Sequence, residues 1–225
     1  MKKLIFTGVS GVLFLLLLLL LNTYDVAAIG PAGTEIGFAT LNGNVRDALG
    51  VNLFWYDLTE LFGLLALAIC GLFGLKGLVQ MLKRRSLLAV DHHILALGVF
   101  YVLVVVFYVL FELVIVNYRP VIMLGETLPE ASFPSSHSML ICCVMGSTAM
   151  MLQRYVKNRD LRLGLQSGCG LVAAVTVAGR LLSGVHWLTD IIGGVLLSCT
   201  LLGLLSIGVE VLGLALKRDD EQCDE

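Results

Sequence analysis

Arg180, His186 and Asp190 stand as Arg-x5-His-x3-Asp at the mouth of an apolar run, and a second histidine closes Pro134-Ser135-Ser136-His137. Those residue types at those intervals describe phosphoryl transfer. His186 and Asp190 are i and i+4, so on a helix running from Trp187 they would lie one above the other. The carboxylate could then hold one imidazole nitrogen as a donor and free the second. A histidine held that way is a nucleophile or a base. Between Arg180 and His186, Leu181-Leu182-Ser183-Gly184-Val185 is long enough for a turn that brings guanidinium and imidazole to one pocket. Arginine suits phosphate there, because its planar fork donates to two oxygens at once.

Pro134 and Ser135 stand where the next apolar run would begin as a helix. Free backbone N–H groups and the helix dipole favour an anion at such a place, and the Ser135 hydroxyl adds a donor. His137 is placed to give a proton to a leaving oxygen. Asn117-Tyr118-Arg119-Pro120 ends the preceding run with another arginine. Three separated stretches thus each deliver a phosphate-handling group to a helix end.

In order and spacing these stretches resemble the type 2 phosphatidic acid phosphatases, whose motifs read Lys-x6-Arg-Pro, Pro-Ser-Gly-His and Ser-Arg-x5-His-x3-Asp. The resemblance covers roughly residues 58 to 213. It implies that His186 attacks phosphorus to give a phosphohistidine, that Asp190 orients His186, and that His137 protonates the leaving group. Arg119, Ser135 and Arg180 would hold the phosphoryl oxygens, with Ser136 contributing its backbone N–H. No metal or other cofactor is implied. The chain departs from the pattern at three positions: Glu112 stands where the family has lysine, Ser136 where it has glycine, and Gly179 where it has serine. Glu112 puts an anion two helical turns below Arg119. It could orient Arg119 or Arg180, receive a polar head group, or pack as a hydrogen-bond partner.

The elements that must position these groups are membrane helices. Of 225 residues, 58% are hydrophobic and 14% charged, with a mean hydropathy of +0.92; soluble domains average about 45–50% and about 25%. Six apolar stretches, at 4–21, 58–82, 94–116, 138–153, 163–182 and 188–213, come near the roughly 20 residues that cross a bilayer. The expected fold is an all-α, six-transmembrane-helix bundle of one domain, residues 1–225. Residues 1–57 would form a first helix and external linker, and 214–225 a cytoplasmic tail whose end, Lys217–Glu225, is mixed in charge and without regular structure. The first stretch is read as a retained helix. A cleaved signal is the alternative, although 18 apolar residues exceed the roughly 7–15 of a signal core. A short interfacial helix is expected near Val45–Phe54, with Trp55 and Tyr56 as interface anchors.

Placing the N-terminus inside puts 12 of the 15 lysines and arginines on the cytoplasmic side and leaves Arg46, Arg119 and Arg180 outside. The site would therefore open on the extracytoplasmic face of the plasma membrane. Its substrate would be a lipid phosphate or pyrophosphate entering sideways from the outer leaflet. By resemblance the candidates are phosphatidic acid, phosphatidylglycerol phosphate and polyprenyl pyrophosphates such as undecaprenyl pyrophosphate. Lipid-to-lipid phosphoryl transfer is a second reading, and a non-catalytic lipid-phosphate binder or transporter, suggested by Glu112, a third.

The remaining polar residues carry less. His92-His93 read as interfacial, Glu126 and Glu130 as solvated loop charges, and Glu210 as reaching the interface. Cys70, Cys142, Cys143, Cys169 and Cys199 lie in apolar runs as small hydrophobes, and the six cysteines show no disulfide or zinc spacing. No basic tract points to nucleic acid. Gly71, Gly74 and Gly77, and Gly164 with Gly168, read as close-packing positions between helices.

Overall fold

A segment in lipid must satisfy its own backbone, so each long apolar run closes into a helix. The computed structural model describes residues 1–87, 89–123 and 125–223, with 214–223 as backbone only. Its helices are α1 (Lys2–Leu21), α2 (Ala39–Leu49), α3 (Leu53–Arg84), α4 (His92–Leu113), α5 (Ser136–Tyr155), α6 (Arg159–Leu182) and α7 (Leu188–Cys223). The starts are written in the sequence. Asn52, Asp91, Ser135 and Asn158 each cap a helix by accepting from a first-turn N–H.

Six of the seven helices match the six apolar stretches, and five of those are long and apolar enough to cross a membrane. The sixth, α5, is the most enclosed. Ser138, Met139, Ile141, Cys143, Val144, Met145, Ser147 and Met151 are all buried, because α3, α6 and α7 pack around it. A helix surrounded by protein need not match lipid in polarity. Ser147 accordingly donates to the Val144 carbonyl, and Tyr101 of α4 lies 3.2 Å from its hydroxyl.

α1 lies antiparallel along α7. Lys3 pairs with Glu210 at 2.9 Å, and Thr200 donates to Ser10 at 3.1 Å. A Cβ on Gly203 would meet the Thr7 hydroxyl at 2.1 Å. The core below the site joins Phe14, Leu97, Phe100, Phe133, Met139, Leu197 and Leu201.

Of the expected close-packing glycines, Gly77 packs closely, a Cβ there lying 3.0 Å from Ile94 Cγ2 of α4, and the other four are corrected. Nothing described lies within 4 Å of a Cβ at Gly71, Gly74, Gly164 or Gly168, whereas Gly63, Gly146, Gly179, Gly193, Gly194 and Gly203 meet neighbours closely. The first set has open space at the Cβ position, which a count of glycine spacings does not reveal.

The interfacial helix is displaced from its expected position near Val45–Phe54. α2 ends at Leu49, Gly50 takes a φ of +66°, and Asn52 starts α3. α2 packs on the N-terminal end of α7. There the buried Asn42 donates to Thr189 Oγ1 (2.9 Å) and the Gly37 carbonyl (2.9 Å), and accepts from Thr189 N (3.2 Å). The linker thus braces the helix that carries Asp190. Trp55 and Tyr56 are half-buried against α6: the Trp55 ring packs on Gly179 and Arg180 lies over the Tyr56 ring at 4.8 Å. The tail expected to lack regular structure is corrected: the backbone of α7 continues as helix to Cys223, and of that tail only residues 224 and 225 lie outside the described residues.

Candidate active site

The N-terminal ends of α3, α5 and α7 and the C-terminal ends of α4 and α6 converge at the end of the bundle opposite the Lys3–Glu210 pair. Asp190 is the hub. Its Oδ2 accepts from Trp187 N at 2.9 Å, which makes it the third helical residue reaching back to its own helix cap. Its Oδ1 accepts from Asn117 Nδ2 at 3.2 Å, and its carbonyl accepts from Ser135 N at 3.0 Å. One acidic residue therefore ties together the segments that follow α4, precede α5 and open α7.

His186 lies just before α7, not on it. The two side chains are not stacked as on a regular helix; instead His186 Nδ1 stands 3.7 Å from Asp190 Oδ2, beyond hydrogen-bond length but within electrostatic reach. His186 is buried, and neither ring nitrogen has a partner among the described residues. Burial pushes its pKa below the ordinary value of 6.5, while Asp190 pulls the other way. A neutral imidazole with a free nitrogen is the form that can attack phosphorus.

Arg180 sits in the last turn of α6 with its side chain fully buried. Its Nη2 pairs with Glu60 of α3 at 2.7 Å, leaving Nε and Nη1 buried without a partner among the described residues. Arg119 pairs with Glu130 at 3.1 Å, and its Nη1 is likewise buried and unpartnered. Both guanidiniums act electrostatically on His186. Orphaned donors cost about 1–3 kcal/mol apiece when nothing accepts from them. Several of them around one imidazole make a setting for an anion.

Ser135 is the N-cap of α5, where the sequence places the start of a helix. Its hydroxyl accepts from Ser138 N and donates to Ser138 Oγ (3.0 Å), so it caps α5. The first-turn N–H groups of Ser136 and His137 donate to no partner among the described residues. Those are the donors that α5 can offer. His137 follows on the first turn with Nε2 at 3.2 Å from Glu60 Oε2.

Glu112 orients neither arginine, since Glu60 and Glu130 do so. It is exposed and lines a narrow cleft with Tyr108, Phe111, Ser132, Phe133, Ser136 and His186. Glu130 is corrected from a solvated loop charge to the partner of Arg119. Glu60 was missed, although a carboxylate inside an apolar run is a signal in itself. His92 and His93 lie beside Asp91 at the far end of α4.

The turn between Arg180 and His186 is braced from outside. Asn52 N donates to the Ser183 carbonyl at 3.1 Å, and Gly184, at φ +69°, presses on Gly50, where a Cβ would lie 2.0 Å from the carbonyl oxygen. Gly184→Ala is expected to cost about 2–4 kcal/mol from backbone strain and overpacking, read as a lower Tm in detergent. Gly168→Ala, in open space, should not lower it.

The arrangement gathers His137, His186, Arg119, Arg180 and Asp190 at one end of a bundle in which five helices are long and apolar enough to cross a membrane. Over 92% of this chain and 95% of its counterpart, the fold is similar to a transmembrane PAP2-type phosphatidylglycerolphosphate phosphatase from Bacillus subtilis, with a TM-score of 0.61 at 21% identity. Residues 58–212 match the PAP2 superfamily, and the chain belongs to that superfamily. No curated protein matches it at a significant level.

Proposed function

We propose that this protein is a membrane lipid phosphatase that works through a phosphohistidine on His186. The observation that carries the reading is a buried imidazole, without a partner at either nitrogen among the described residues, in the field of two arginines with orphaned donors and 3.7 Å from a carboxylate. His186 forms the N–P bond as the bond from phosphorus to the lipid oxygen breaks, and His137 gives that oxygen a proton. Water then attacks phosphorus, His137 takes its proton, and phosphate leaves His186. Arg119, Arg180 and the N–H groups of Ser136 and His137 hold the equatorial oxygens; their charge does what a metal ion does elsewhere.

The substrate is a phosphate or pyrophosphate on a lipid. A cavity of about 330 Å³ between α3 and α4, lined by Leu64, Leu67, Val104, Val105 and Leu140, ends at Glu60 and His137. Such an apolar approach suits a head group whose tail remains in the bilayer. The lysine- and arginine-rich ends of the helices lie opposite the site, which supports an extracytoplasmic opening with both termini cytoplasmic.

The test is phosphate release by purified protein from lipid phosphates and pyrophosphates, with a chelator present, across pH. Since His186 attacks as the neutral base and burial lowers its pKa, activity should persist as pH falls to 6.5 and fail only below it, after correction for ionisation of the substrate. An acid limb that sets in already above pH 7, or abolition by chelator, would contradict the reading.

A further inference from the structure

We propose that Glu60 is a positioning residue for leaving-group protonation, fixing His137 through Nε2 so that Nδ1 carries the proton to the departing lipid oxygen. The inference rests on the phosphatase reading. Tyr56, Glu60 and Gly63 share one face of α3, being four and three residues apart, and each addresses the site. Tyr56 lies beneath the Arg180 guanidinium at 4.8 Å. The Glu60 carboxylate divides its oxygens between Arg180 Nη2 (2.7 Å) and His137 Nε2 (3.2 Å). A Cβ on Gly63 would lie 3.2 Å from both Cδ2 and Nε2 of His137.

The Cδ2–Nε2 edge of His137 is therefore the edge turned to α3, and it is the edge Glu60 holds. In the charged imidazolium both nitrogens carry protons. With Nε2–H directed at Glu60, the proton that can be passed on is the one on Nδ1. When the bond from phosphorus to the lipid oxygen breaks, its electron pair stays on that oxygen and takes the Nδ1 proton. His137 becomes neutral and keeps Nε2–H on Glu60. In the second step Nδ1 removes a proton from water as that water attacks the phosphohistidine, and the starting charge is restored.

The groups that face His137 are Glu60 from α3, Arg180 from α6 and His186 from the turn before α7, with Tyr108 of α4 on the wall of the shared cavity. Glu60 is the anion among them. Burial and the Arg180 guanidinium push the His137 pKa down to about 4 while Glu60 pulls it up, so without Glu60 the imidazolium needed for the first step loses its carboxylate support. A carboxylate on α3 thus serves His137 as Asp190 serves His186.

Glu60→Gln keeps size and leaves the helix intact, so it isolates charge. Its kcat should fall roughly 100-fold on phosphatidic acid, where an alkoxide must be protonated as it leaves. On p-nitrophenyl phosphate, whose leaving group needs no proton, the loss should stay under about tenfold. The alkaline limb of kcat should move to lower pH, and Glu60→Asp should recover part of the loss. Gly63→Ala, which presses on the same ring edge with Glu60 present, should show the same dependence on leaving group. Equal losses on both substrates in Glu60→Gln, or an unmoved alkaline limb, would overturn the assignment while the phosphatase reading stands. Should wild-type protein release no phosphate from either substrate, the phosphatase reading falls and this inference with it.

Discussion

His186→Ala is expected to abolish phosphate release from every lipid the wild-type protein accepts, a loss of roughly 10⁴-fold or more, because no other group in the site can form the covalent intermediate. His137 is held at Nε2 by Glu60 and belongs to the leaving-group side. The nitrogen that His186 presents has no partner to lose among the described residues, so alanine removes the chemistry without orphaning a neighbour. Unchanged thermal unfolding in detergent beside absent turnover is the expected pair of results. A variant that retains a tenth of the activity would show that the attack on phosphorus comes from elsewhere.

Arg180→Ala is expected to lower kcat by roughly 100- to 1,000-fold, the range for removing a preorganised donor from developing negative charge. Two of its three guanidinium nitrogens are buried without a partner among the described residues, and those are the ones available to an anion. The third holds Glu60 at 2.7 Å. Glu60 is 41% exposed, so water can replace that contact, and the variant should lose activity far more than stability. Arg180→Lys should not restore the rate, because one ammonium cannot reach two oxygens and Glu60 in the same geometry. Kinetics on a single lipid phosphate, alongside unfolding curves, separate the two effects.

Much of this site is legible in the sequence because helix ends announce themselves. Ser135 and Asn52 are capping residues, and the apolar runs fix which ends carry Arg119, His137, Arg180 and Asp190. The i, i+4 interval of His186 and Asp190 pointed to a pair, but for a reason other than stacking on a helix. Asp190 is bound to its own helix start through Trp187 N, and that capping contact holds it 3.7 Å from His186. Local geometry of this kind follows from where the helix begins, and the interval alone does not say.

What the sequence conceals is which distant carboxylate meets which arginine. Glu60 lies 120 residues from Arg180, and Glu130 reads as one more loop charge until the segment folds back through Arg119 N donating to the Glu130 carbonyl. Glu112 drew attention because it breaks a motif, yet it pairs with neither arginine. The linker was obscure for a similar reason. Asn42 caps α7 from 147 residues away, and no local pattern marks an asparagine for that role.

The most direct test of the central claim is to quench the purified protein during turnover of a lipid phosphate labelled with ³²P and examine the protein itself. The account predicts label that is stable in alkali and released by acid, as expected of a phosphorus–nitrogen bond, located at His186 and absent from His186→Ala. Label should build up in His137→Ala supplied with p-nitrophenyl [³²P]phosphate, where attack proceeds and hydrolysis lacks its base. Steady phosphate release with no label on the protein, in wild type and in His137→Ala alike, would contradict the account.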